Sequence, residues 1–96
     1  MTKEIGEIEA RELAARFLAE SYGGAGIEIV PTIVREIDIG WLVAYQSKEY
    51  LDTADKNFAL LGNGPLVVDR AGQIHTTGTS LPTNDYVEEI RNKLKK

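Results

Sequence analysis

Ala10, Leu13, Ala14, Phe17, Leu18 and Tyr22 recur at intervals of three and four residues, while Glu9, Arg11, Glu12, Arg16 and Glu20 fall mostly between them. That spacing predicts an amphipathic helix over about 3–22, with Gly6 weakening its first turn. Gly23, Gly24 and Gly26 end it, because glycine accepts the left-handed backbone of helix ends and loses too much entropy to continue one. The period then changes. Ile27, Ile29, Ile33, Val34, Ile37 and Ile39 are β-branched and favour extended chain. Pro31, lacking an amide donor, marks an edge position, a bulge or the break before a strand at about 32–37. Asp38-Ile39-Gly40 reads as a hairpin turn into a strand over 41–47.

In that second strand Trp41, Val43 and Tyr45 share one face, and Leu42, Ala44 and Gln46 the other. Both faces begin apolar, so the strand should be central and covered. Ser47 is placed to cap a short helical turn running to Asp52, and a polar loop over 53–57 follows. Phe58, Leu60 and Leu61 then return the chain to the core. Gly62-Asn63-Gly64-Pro65 forms a tight turn, and the runs 66–69 and 73–77 make a second hairpin through Arg70-Ala71-Gly72. Leu81-Pro82 opens a final helix with proline in its first turn. Its buried stripe is Tyr86, Val87, Ile90 and Leu94, with acids toward its N-terminal half and Arg91, Lys93, Lys95 and Lys96 toward the other, as the helix dipole favours.

These elements predict one α+β domain over residues 1–96: an N-terminal helix, an antiparallel sheet of about four strands, and a C-terminal helix packed on one sheet face. Both helices are expected to share that face, which leaves the other for a partner. Exposed strand edges leave open a homodimer through sheet pairing.

Charge narrows the function classes. Net charge is −4, and the acids are concentrated early: residues 1–55 hold eleven acids against five bases, whereas 56–96 hold four against six. A phosphate-facing surface needs the opposite sign, so nucleic-acid binding is not expected. An acidic face steers a basic protein partner and also serves plain solubility. The chain has no cysteine, hence no disulfide, thiolate nucleophile or cysteine metal site. No apolar run approaches a membrane span and no signal-peptide pattern opens the chain, so a cytoplasmic protein with no membrane partner is expected.

Catalytic ingredients are sparse. His75 is the lone histidine and reads as a half-exposed strand residue. Ser21, Ser47 and Ser80 lie in no recognisable nucleophile turn. The acid pairs sit in hydrated stretches, where pKa tuning is not expected, and Asp52 with Asp55 lacks the further ligands of a calcium loop. No enzyme activity, metal or cofactor is expected. Trp41 reads as a core residue, while Tyr45 and Tyr50 suit either a core edge or an interface.

One pattern is more specific. Gly40-Trp41 leads an apolar strand ending in Tyr45-Gln46-Ser47, followed by Glu49-Tyr50-Leu51 and then by Leu61-Gly62-Asn63-Gly64-Pro65-Leu66-Val67-Val68-Asp69. Over about 33–86 the chain resembles the immunity protein 35 family of bacterial toxin systems. It departs from the family pattern within Thr53-Ala54-Asp55, where that pattern carries a glycine, and at Ala44, where it carries a larger apolar or aromatic residue. The resemblance implies an immunity protein that binds a cognate toxin and blocks it sterically. The crossing between the central strands concentrates anchors and acids in a loop, so Tyr45, Glu49, Tyr50, Asp52 and Asp55 are the expected partner-binding residues. Two other readings follow from an exposed apolar sheet face or a pocket: a chaperone-like or scaffolding domain, and a small-ligand regulatory domain with a pocket lined by Trp41 and Tyr45.

Overall fold

The computed structural model of the chain describes residues 4–22, 28–60 and 64–95. Helix α1 (Glu7–Tyr22) leads into strands β1 (Ile29–Ile37) and β2 (Gly40–Ser47). A short helix α2 (Lys48–Thr53) and a 3₁₀ turn (Lys56–Phe58) cross to β3 (Leu66–Asp69), followed by β4 (Ile74–Thr76) and helix α3 (Thr83–Leu94). The four strands form one antiparallel sheet in the order β1-β2-β3-β4, as the hairpin signals anticipate. The predicted glycine stop at Gly23, Gly24 and Gly26, the expected core residue Leu61, and Gly62 and Asn63 of the tight turn lie outside the described residues. Pro31 falls within β1, on an edge strand, and the β1–β2 register shifts between Pro31 and Val34. Both of the strand alternatives for Pro31 are therefore realised at once, an edge position and a bulge, and β1 begins earlier than predicted.

Register assigns the faces. Trp41 pairs with Val68 and Val43 with Leu66, while Leu42 pairs with Val67. Against Trp41, Val43, Leu66 and Val68 lie Ala10, Ala14 and Leu18 of α1, all buried. The two alanines, one helical turn apart, let the helix backbone approach the sheet closely, and Leu18 fills the end of the contact. Burying a side chain of the size of Leu18 or Val43 contributes about 1.5–3 kcal/mol. On the opposite face Val67 packs with Val87 and Ile90 of α3, bordered by Ile37, Ile39 and Leu42. The expectation that both helices share a face is thus corrected. A sheet whose central strands are apolar on both sides needs cover on both, and one helix goes to each. Leu94, expected in the buried stripe of α3, is 42% exposed, as the last residue of the helix beside the turn residues Arg70 and Ala71. The helix itself starts one residue later than predicted, with Pro82 at the N-cap.

Two turns carry specific constraints. Gly40 opens β2 at φ +154, and a Cβ there would collide with the backbone of Val68 and Asp69 on the neighbouring strand. In the second hairpin the buried Asp69 carboxylate, 2% exposed, accepts from the amides of Ala71 and Gln73, both at 2.9 Å, and its other oxygen meets His75 Nε2 at 2.8 Å. The lone histidine is the half-exposed strand residue expected, and it is in addition the partner of a buried turn acid. Arg70 lies 4.6 Å from the centroid of the Trp41 ring, bonds Glu36 and donates to the carbonyl of Ile37. Helix α3 is clasped to the β1–β2 turn by Arg91, which donates from Nε and Nη2 to the two oxygens of Asp38 at 2.7 and 2.8 Å and also pairs with Glu88.

Two predictions follow from these contacts. Gly40→Ala should cost about 2 kcal/mol or more, since neither the φ nor the space suits a side chain, lowering Tm by at least about 8 °C in a thermal melt. The Asp38 carboxyl is held below its ordinary value of 3.8, chiefly by the hydrogen bond from Arg91. A lowered folded-state pKa contributes stability fully above the unfolded value, and that contribution fades as pH falls through the folded one. Asp38→Asn should therefore lower stability at neutral pH, and the difference from wild type should shrink below about pH 4 in urea melts.

Candidate functional site

The crossing from β2 to β3 is built on two side chains at the end of β2. Ser47, buried at the N-cap of α2, accepts the Tyr50 amide on Oγ at 3.0 Å, and the Lys48 amide donates to the Glu28 carbonyl at 2.9 Å. Gln46 meets the return of the crossing: its Oε1 accepts the Leu60 amide at 2.5 Å and its Nε2 donates to the Leu60 carbonyl at 3.2 Å. The amide thus copies a strand pairing where no strand exists, closing the loop across 14 residues.

Between these anchors the segment is held by short-range bonds. Thr53 Oγ1 donates to the Glu49 carbonyl at 2.7 Å and accepts from the Asp55 amide, whose carboxylate in turn caps the 3₁₀ turn by accepting from Asn57. Lys48 pairs with Asp52 at 3.1 Å; this bond, with the charges of Asp52 and Glu28, raises the Lys48 pKa above its ordinary value. The helix ends at Ala54 with φ 59, in the left-handed region, its amide bonded to the Tyr50 carbonyl at 2.7 Å. Ala54 is the middle residue of the Thr53-Ala54-Asp55 stretch, and a C-cap of this geometry favours a residue without Cβ.

Of the expected partner-binding residues, Glu49 and Asp52 are exposed on α2, and Asp55 is exposed at the N-cap of the 3₁₀ turn that follows. Tyr50 is half-buried on the same helix. Tyr45 stands apart. It lies on β2, its ring 6.4 Å from that of Tyr22, packed partly against the α1-side core. Leu51, 49% exposed, and Phe58, 47% exposed, add apolar surface beside these acids. For Phe58 this corrects the expected return to the core, a role that passes to the half-buried Leu60. The signal for the change was present in Asp55-Lys56-Asn57, a capped turn that leaves the next residue facing out. Trp41 is buried, as expected, and does not line a pocket with Tyr45; the groove that Tyr45 borders is lined instead by Ile33, Arg35, Leu42, Ala44 and Pro65.

No helix among the described residues is long and apolar enough to cross a membrane, and no group of three or more His, Asp or Glu among them is arranged to hold a metal ion. The arrangement is that of a small α+β domain with a hydrogen-bonded, acidic and partly apolar crossing. The chain belongs to the immunity protein 35 family, whose model matches residues 8–92, from α1 into α3. It is 31% identical over 70 residues to the uncharacterized protein YrhB of Escherichia coli (strain K12), a match covering 72% of this chain and 74% of the relative. No solved structure matches it.

The left-handed residue gives a direct test of the local geometry. Ala54→Gly should stabilise the protein by about 0.5–1 kcal/mol, the relieved backbone strain exceeding the added unfolded-state entropy, read as a higher urea midpoint at unchanged slope.

Proposed function

We propose that this chain is an immunity protein that binds one cognate bacterial toxin and neutralises it sterically, with the crossing between β2 and β3 as the contact surface. The observation that carries this reading is the match of the family model across almost the whole domain. The crossing suits the role physically. Its internal hydrogen bonds leave little ordering to be done on association. Glu49, Asp52 and Asp55 supply a negative field for a basic toxin surface, and Tyr50, Leu51 and Phe58 supply area that water leaves on contact. The protein performs no chemistry in this account; it covers the toxin's working surface. A chaperone-like role needs a broad bare sheet face, and α3 occupies part of the face that reading required.

The test begins with the tagged protein in its source cells, and continues with the purified pair. A single toxin-like partner should be recovered stoichiometrically and should lose activity when bound. Tyr50→Ala with Asp52→Ala should weaken the complex at least about a hundredfold, as loss of an interface anchor and an adjacent charge does, with wild-type circular dichroism. Unchanged affinity in that folded variant would remove the crossing from the interface, and recovery of many unrelated proteins would overturn the immunity reading itself.

A further inference from the structure

The sheet face that carries α3 is covered only in part. At the other end of that face lies an open groove of about 410 Å³, lined by Ile33, Arg35, Leu42, Ala44, Tyr45 and Pro65. Three features of the chain build it. Ala44 follows Leu42 on the same face of β2 and precedes Gln46, so a single methyl group leaves the floor low where its neighbours on that face are long. The register shift between Pro31 and Val34 falls alongside, as bulges beside binding sites often do when they re-aim a side chain. Here it leaves Ile33 as a wall that is 68% exposed. Pro65 enters β3 across from Ala44, and its carbonyl accepts Thr77 Oγ1 at 2.7 Å, which fixes the far rim.

The groove is aliphatic along its walls and carries one cation. Arg35, paired in register with Leu42, takes part in none of the ion pairs among the described residues, whereas Arg70 and Arg91 each hold carboxylates. A guanidinium beside an apolar trough selects an anion that brings an apolar body with it. The volume lies within the range of small-ligand sites, roughly 300–1,000 Å³. We infer that this groove is a binding site for a small apolar carboxylic acid, its aliphatic chain or ring lying over Ala44 between Ile33 and Pro65, and its carboxylate on Arg35. The site is independent of the toxin reading, since none of its charge comes from the crossing.

The probes are decanoate and decyltrimethylammonium, equal in chain and opposite in charge, titrated below their micelle concentrations into the ¹⁵N-labelled protein. Decanoate should shift the amides of Ile33, Arg35, Leu42 and Ala44 with a Kd of about 1 mM or tighter, and the ammonium probe should bind at least about tenfold more weakly. Arg35→Gln, an exposed strand substitution, should weaken decanoate by about tenfold or more while leaving the ammonium probe bound as well as to wild type or better. Ala44→Phe, with its fold checked by circular dichroism, should abolish the groove shifts for both. Equal binding of the two probes, an Arg35→Gln variant that binds decanoate like wild type, shifts gathered at Leu51 and Phe58 instead, or no saturable shift at all would each overturn the assignment.

Discussion

Because Trp41 and Val43 point to one side of β2 and Leu42 to the other, the central strands lose their apolar contacts unless both faces of the sheet are covered. The rest of the architecture answers that requirement with two helices of unequal reach. Helix α1 presents alanines and Leu18 and sits close on its face. Helix α3 contributes only Val87 and Ile90 to its buried cluster, and its place is further set by the Arg91 fork on Asp38. That fork is solvent-exposed and so contributes modestly to stability. Its geometric effect is larger, since it ties α3 to the one turn whose position Gly40 determines through its close approach to β3.

The same strand sets the crossing. Gln46 and Ser47 are consecutive, and each uses its side chain in place of missing backbone pairing: one at the return of the loop, the other at the start of the helix. The Gln46 oxygen also accepts the Ser47 amide at 2.8 Å, so the two anchors are coupled. A loop held at both ends can expose Leu51 and Phe58 without collapsing them onto the core, because the local bonds of Thr53 and Asp55 already satisfy the backbone between.

Much of this was legible in the residues because it depended on local chemistry. The three-four spacing of α1, the Ser47 cap, the Asp38–Gly40 turn and the Arg70-Ala71-Gly72 hairpin are each decided within a few positions. What was not legible depended on which surfaces meet. Alternation showed that Leu42 and Val67 needed cover, but nothing local said that α3 would supply it from the side opposite α1. His75 read correctly as a half-exposed strand residue, but its partner Asp69 went unread, because it is six positions away across a turn and a turn acid and a buried pair look alike in sequence. Phe58 read as core because size and hydrophobicity carry no direction. For the candidate site, Glu49 and Asp52 are exposed on α2 and Asp55 is exposed just after it, whereas Tyr45, counted with them by proximity in sequence, turns toward Tyr22.

The unequal helices also explain where recognition can occur. Antiparallel register puts the Asp38 turn, Trp41 and the clasped part of α3 toward one end of β2, and Ala44, Pro65 and Ser47 toward the other. A twelve-residue helix spans about 18 Å, and with Arg91 of its last turn on Asp38 its buried residues fall over the first end. The second end therefore keeps an open groove on one face and begins the exposed crossing at its rim. Two surfaces of different character, one aliphatic with a cation and one acidic with apolar edges, arise at the same end of the strand for one reason: the cover that β2 requires is anchored at the other.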